Sequence, residues 1–145
     1  MSAPEIRRAE PSELKEIELL LEESGLPTEG VRDHLAHFFV VRNGSLLQGT
    51  VGLEQYGPDG LLRSLAVRAS DRSRGLGGRL TEQVLREARS LGVRRLILLT
   101  TTAEKYFSAR GFRVKDRAQI TGDVRRSAEF TGACPESAVC MELTL

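Results

Sequence analysis

The residues best suited to chemistry in this 145-residue chain form one short run, Arg72-Ser73-Arg74-Gly75-Leu76-Gly77-Gly78. Gly75, Gly77 and Gly78 carry no Cβ, so an anion can approach the main chain closely there. Arg72 and Arg74 add charge-assisted donors. Between Arg68 and Arg79 four arginines stand against the single carboxylate of Asp71. A helical apolar period starts at Leu76, so the run leads into a helix whose first amides and dipole favour a negative ligand. The chemistry implied is phosphate binding. The same letters also describe a glycine-rich turn flanked by solvated arginines, and the glycines alone do not choose between the two.

Missing residues narrow the ligand. A nucleotide P-loop needs Gly-x-x-x-x-Gly-Lys-Ser/Thr, and the lysines of this chain are Lys15, Lys105 and Lys115, all outside that frame. A dinucleotide fingerprint needs a small residue three positions after Gly77, where Leu80 stands. ATP and NAD are both poor fits.

The elements that must hold this run follow from periodicity. Glu5 to Arg8 reads as a short strand, and Ser12 as the N-cap of a helix with Leu14, Ile17 and Leu21 on one stripe. A second short helix is expected around Thr28 to Ala36, then a strand through Phe38-Phe39-Val40-Val41. Asn43-Gly44 suits a tight hairpin turn into Leu46 to Tyr56, and Gly57-Pro58-Asp59-Gly60 a turn into Leu61 to Arg68. These strands form an antiparallel meander.

Leu76, Leu80, Val84, Leu85, Ala88 and Leu91 mark a helix that Gly92 ends, with Glu82 and Arg86 at i,i+4 on its other face. The continuous apolar run Leu96-Ile97-Leu98-Leu99 suits a strand buried on both faces, so Leu61 to Thr100 is a parallel β-α-β unit. A helix near Ala103 to Arg110, a strand from Phe112 and a last strand from Ala138 to Leu143 complete the chain. Ile120 to Phe130 has no clear period, although Val124 and Ala128 favour a helical turn. The expected fold is α+β (α/β in the broad sense) in one domain, 1–145.

Composition agrees. Hydrophobic residues at 40% and charged residues at 28% are those of a globular protein rather than a disordered or membrane one. The net charge of +1 calls for neither a nucleic-acid nor a membrane partner. Met1 to Arg8 lacks the apolar stretch of a secretory signal, and no run approaches the roughly 18 apolar residues of a membrane span, so a cytoplasmic location is expected. Cys134 and Cys140 lack metal-ligand spacing; they read as packing residues in a reducing compartment, with a redox or metalloid role as the alternative. No metal site is expected.

Arg72-Ser73-Arg74-Gly75-Leu76-Gly77 also fits Arg/Gln-x-x-Gly-x-Gly/Ala. With Leu65-Ala66-Val67 before it, a helix after it and Ser108-Ala109-Arg110-Gly111-Phe112 closing the next helix, the chain resembles the GNAT superfamily of N-acetyltransferases over nearly its whole length. The resemblance implies a mixed, mostly antiparallel, splayed sheet of six to seven strands with about four helices. It implies acetyl-CoA as acyl donor, pantetheine along Leu65, Ala66 and Val67, and pyrophosphate on the amides of Arg74, Gly75, Leu76, Gly77, Gly78 and Arg79, with Arg72 beside them. A main-chain amide near Val67 would hold the oxyanion. Edge strands in this superfamily often pair, which leaves a homodimer open.

Direct transfer needs a neutral amine, and a carboxylate is the usual base. Glu54, on the strand beside Leu61 to Arg68, is the candidate, with a solvated strand residue as its plainer reading. The superfamily usually protonates the departing thiolate with a Tyr at the position held here by Phe107; Tyr106 stands next to it as the candidate acid, or as a half-buried helix residue. Leu99-Thr100-Thr101-Thr102 with Tyr106 to Phe112 resembles the amino-acid N-acetyltransferases of the N-acetylglutamate synthase type. Leu62 to Val67, Glu129-Phe130, Cys134-Pro135 and Ser137-Ala138-Val139 resemble the small stand-alone arsenic-resistance N-acetyltransferases. That resemblance implies the α-amine of a small amino acid or amino-acid-like toxin as acceptor, whose carboxylate wants an arginine fork; Arg63 and Arg125 are the candidates, with solvated surface arginines as their plainer reading. Pro135-Glu136-Ser137 departs from the Arg-x-Ser of glutamate-acetylating relatives. A non-catalytic acyl-CoA sensor and a protein or polyamine acetyltransferase are the competing readings.

Overall fold

Strand alternation and glycine turns in the first half, and one fully apolar strand in the second, assemble a single seven-stranded sheet. In the computed structural model, which describes residues 4–145, the strands are β1 (Ile6–Arg8), β2 (Phe38–Asn43), β3 (Leu46–Tyr56), β4 (Asp59–Val67), β5 (Arg95–Thr100), β6 (Arg113–Val114) and β7 (Val139–Thr144). They lie in the order β1-β2-β3-β4-β5-β7-β6. Only β4 and β5 run parallel; the other neighbours are antiparallel. The helices are α1 (Leu14–Glu23), α2 (Val31–His34), α3 (Leu76–Ser90) and α4 (Glu104–Ser108).

Both faces of the sheet are covered. The apolar stripe of α3, including Leu80, Val84 and Ala88, packs on Phe39, Val51 and Leu96. On the opposite face Ile17, Leu20 and Leu21 of α1 and Val31 of α2 cover Phe38, Val40 and Ala66. This two-sided burial explains the continuous apolar run in β2; in β5, where Leu96 and Leu98 face α3, the other face is covered at Ile97 by Ile120 and Val124.

One irregularity shapes the molecule. Between the pairs Thr50↔Ala66 and Gly52↔Arg63, β4 carries one more residue than β3, and Ser64 adopts φ 61, in the left-handed region. Such a bulge bends its strand. The ladder between β4 and β5 covers only Asp59↔Arg95, Gly60↔Leu96 and Leu61↔Ile97. Past Leu61 the two strands part, β4 running on to Val67 and β5 to Thr100.

Several local expectations are corrected. Ser12 does not cap α1; it lies inside a 3-10 turn, Pro11–Glu13, and the Glu13 carboxylate accepts the Glu10 amide at 2.8 Å. The first hairpin turns through Gly44 and Ser45, with Gly44 at φ 60 and Asn43 still in β2. Arg86 donates to Gln83 at 2.8 Å rather than pairing with Glu82. The unperiodic stretch resolves into a 3-10 turn, Asp123–Arg126, and one wide helical turn, Glu129–Ala133.

Glu13 ties α1 to the sheet. It accepts two bonds from Arg7, both at 2.9 Å, and one from Arg42 at 2.7 Å. Burial opposes its ionisation, but the two guanidiniums hold its carboxyl down at about 2. A depressed carboxyl stabilises the fold fully above the ordinary value of 4.5 and loses that contribution as pH falls towards 2. Glu13→Gln is therefore expected to lower the melting temperature at pH 7 and to flatten its fall between pH 4.5 and 2; melting curves across that range check it.

Candidate active site

The parting of β4 and β5 opens a cavity of about 630 Å³. One wall is β4 from Leu62 to Val67, the other the end of β5 and the turn Thr100-Thr101-Thr102-Ala103, with Phe107 between them. Its far side is closed by Pro27, Glu29, Glu129 and Cys134. Outside the mouth a second groove of about 870 Å³ runs past Gly75, Gly78, Arg79, Arg86 and Arg110.

The glycine loop sits between the two. After β4 a 3-10 turn, Ala69–Asp71, leads to Ser73 at φ 69 and Gly75 at φ 79, both left-handed, and Gly75 caps α3. Asp71 is buried and accepts from Gln48, and Arg68 and Arg74 lie 3.3 and 3.8 Å from its carboxylate. Arg72 folds back to donate to the Val67 carbonyl at 3.0 Å and reaches the cavity wall. Leu76 points its side chain into the core, so it offers a ligand only its backbone. Arg110 packs against the main chain of Gly78 and over the ring of Tyr106, 4.8 Å away. Leu65, Ala66, Val67 and Arg72 thus line the cavity, and Gly75, Gly78 and Arg79 the groove.

The candidate groups for the transfer step are placed differently. Glu54 is 1% exposed. Arg63 bonds its Oε2 at 2.7 Å, the Tyr56 hydroxyl donates to Oε1, and His34 Nε2 lies 3.4 Å from Oε1. Burial, and then the bond to Glu54, push the Tyr56 hydroxyl above its ordinary value. Glu54 is thus an enclosed ion-pair partner, not a solvated strand residue, and it does not line the cavity.

The side chain of Arg63 is also solvent-inaccessible, although the residue is part of the cavity wall. Its guanidinium also donates to the carbonyls of Glu29 at 2.6 Å and Pro27 at 3.2 Å, and to the Ser64 hydroxyl at 3.0 Å. Arg125 donates to the carbonyls of Arg117 at 2.8 Å and Ile120 at 2.9 Å, away from the cavity lining. The two guanidiniums considered for an acceptor carboxylate are therefore spent on other partners and are not brought together.

The Tyr106 hydroxyl meets Thr81 Oγ1 at 3.2 Å, beside the first turn of α3, and Phe107 takes the cavity side of α4. Thr100 Oγ1 accepts the amide of Ala103 at 2.9 Å and so fixes the turn into α4.

Sequence reasoning singled out Glu129 only as part of a resemblance. It is buried at the cavity wall, with Arg63 Nε 3.6 Å from its carboxylate. Burial raises its carboxyl to about 7; Arg63 opposes this and Glu54 adds to it. Cys134 and Cys140 are free and buried, and burial pushes their thiols up to about 12 and about 11, which suits packing and not thiolate chemistry. Among the described residues no cluster of three metal-ligating side chains occurs, and no helix is long and apolar enough to cross a membrane.

A mixed sheet that opens between its two parallel strands, with a glycine loop and helix N-terminus at the mouth, is the architecture of an acyl-CoA acetyltransferase. The sequence profile of the acetyltransferase (GNAT) family matches residues 3–112, and the chain belongs to that family. An amino-acid acetyltransferase of Neisseria meningitidis is 26% identical over 136 residues, covering 88% of this chain and 31% of the relative. The chain thus spans about a third of that relative. Two solved structures share the fold. N-acetylglutamate synthase from Neisseria gonorrhoeae, complexed with coenzyme A and N-acetyl-glutamate, has a TM-score of 0.84 at 24% identity, covering 100% of this chain and 36% of that one. Rv2747 from Mycobacterium tuberculosis, in complex with CoA, has a TM-score of 0.81 at 23% identity, covering 98% and 99%.

Proposed function

We propose that this protein transfers the acetyl group of acetyl-CoA to the amine of a small amino acid by direct attack in a ternary complex. The observation that carries the reading is the opening of β4 from β5 past Leu61, which leaves the β5-facing edge of β4 without a strand partner inside a cavity. Pantetheine, an extended chain with two amides, would complete that edge along Leu65 to Val67 as an added strand does. Its pyrophosphate would then reach the amides of Arg74 to Arg79 and the dipole of the 15-residue α3. Arg72 would stand at the junction. The amino-acid acetyltransferase name of the Neisseria meningitidis relative and the ligands of the gonococcal structure support the acceptor class.

In this arrangement the acceptor nitrogen attacks the thioester carbonyl carbon, and the oxyanion meets the amide near Val67. The carbon–sulfur bond breaks as the intermediate collapses. Phe107, at the cavity side of α4, has no proton to give, and the Tyr106 hydroxyl is turned towards Thr81. A thiol of pKa roughly 8.5 is a good enough leaving group to depart without a dedicated acid. An amino-acid-like toxin, as in arsenic-resistance acetyltransferases, is the finer reading of the acceptor.

Thiol release from acetyl-CoA with a panel of amino acids, polyamines and amino-acid-like toxins tests the proposal. Turnover with α-amino acids is the expected result. Tight CoA binding with no turnover on any amine would instead make the protein an acyl-CoA sensor, the outcome that Phe107 would favour.

A further inference from the structure

We infer that Glu129, and not Glu54, receives the proton of the acceptor amine. The inference rests on the acetyl-transfer reading above and assigns a residue to it. Both carboxylates belong to one buried cluster around Arg63, but they differ in what they face. Glu54 has Oε1 taken by Tyr56 and His34 and Oε2 taken by Arg63, and it is walled off from the cavity. Glu129 forms part of the cavity wall, and its nearest cationic atom, Arg63 Nε at 3.6 Å, is beyond hydrogen-bond range. The neighbouring Cys134 thiol favours its ionised form. Lone pairs of the Glu129 carboxylate therefore remain for a ligand on the cavity side.

Charge points the same way. Arg63 is one cation between Glu54 and Glu129, and Glu29 adds a further carboxyl at the same wall. Arg117 reaches only the backbone carbonyls of Glu129 and Phe130, at 3.5 and 3.2 Å. Glu54, Glu129 and the exposed Glu29 stand against the permanent cation Arg63, with His34 adding positive charge only when protonated, so an incoming ammonium meets more carboxyls than fixed cations. A carboxyl that burial has raised to about 7 is poised between its two forms near neutral pH, where a general base works best.

The protons balance as follows. The acceptor enters as an ammonium and gives one proton to Glu129, which later passes it to solvent. The neutral nitrogen attacks the carbonyl carbon, and the carbon–sulfur bond breaks. The second proton leaves the nitrogen on collapse and goes to the thiolate, yielding amide and CoA thiol.

The test compares wild type, Glu129→Gln and Glu129→Asp, using acetyl-CoA and the best amino acid of the panel. Wild-type kcat/KM is expected to rise with pH through a midpoint near 7. Glu129→Gln should lose about 100-fold at pH 7 and lose that limb, rising instead with ionisation of the free amine, while CoA affinity by calorimetry is unchanged. Glu129→Asp should keep the limb with a displaced midpoint. A folded, CoA-binding Glu129→Gln that retains the wild-type profile overturns the inference and leaves acetyl transfer standing. If Glu129→Gln does not fold, an unmoved midpoint in Glu129→Asp overturns it equally. Absence of wild-type turnover on every amine removes the acetyl-transfer reading itself, and the inference with it.

Discussion

Gly77→Glu is expected to weaken coenzyme A binding about 1,000-fold while leaving the fold intact. A Cβ at Gly77 would lie 3.6 Å from the Tyr106 hydroxyl and 4.0 Å from Val67 Cγ2, ordinary contact distances. Gly77 also has no left-handed φ, so a side chain brings no backbone strain there. The neighbouring glycines are worse probes: Gly75 stands at φ 79, and a Cβ on Gly78 would run into the Arg110 guanidinium. A glutamate in the first turn of α3 even suits the helix dipole. What it opposes is the ligand. A carboxylate about 4 Å from a phosphate charge costs about 4 kcal/mol at an effective dielectric near 20, which is roughly 1,000-fold in affinity. Gly77→Ala, which adds only the methyl, should bind within a few fold of wild type. Calorimetry with CoA on both variants, with melting curves as control, separates charge from shape; unchanged affinity in Gly77→Glu would remove the pyrophosphate from this loop.

The architecture behind that prediction was legible because it is periodic. The stripe from Leu76 to Ala88 could only be an amphipathic helix, and Leu96 to Leu98 could only be a strand covered on both sides. The glycine loop was legible because its residue types state their use. The cluster across the sheet was not, for two physical reasons. Glu54 and Arg63 meet as diagonal neighbours, since Glu54 pairs with Leu61 in the β3–β4 ladder, and Tyr56 lies on the same face two residues from Glu54. That contact follows only once a register is known. The bulge at Ser64, which aims Arg63 and opens the cavity, uses a serine at a φ that sequence patterns assign to glycine. Glu129 lies in a wide helical turn after a 3-10 turn, and neither has a period to read. Phe107 and Tyr106 differ by one helical step, about 100°, and only the packing of α4 decides which faces the cavity.

The second large effect is expected at the buried ion pair. Glu54→Ala leaves the Arg63 side chain, 0% exposed, without its closest carboxylate. Breaking a buried pair in this way costs about 3–5 kcal/mol. The lower end is expected, because the Glu29 and Pro27 carbonyls and the more distant Glu129 remain around the guanidinium. About 3 kcal/mol corresponds to a fall of roughly 10 °C in melting temperature for a chain of this size. Glu54→Gln keeps the shape and removes only the charge, so it should melt between Glu54→Ala and wild type, and it carries a second signal. Glu54 is one of the groups that raise the Glu129 carboxyl. Without its charge, Arg63 acts on Glu129 alone, and the Glu129 carboxyl should fall below about 7. The rise of kcat/KM with pH should then begin at lower pH, and the ratio of mutant to wild-type activity should be higher at pH 6 than at pH 8. If Glu54 were the base, the same variant would lose activity at every pH and recover only where the free amine is already neutral. The slope of that ratio against pH, measured on a variant that still binds CoA, therefore decides which carboxylate of the pair takes the proton.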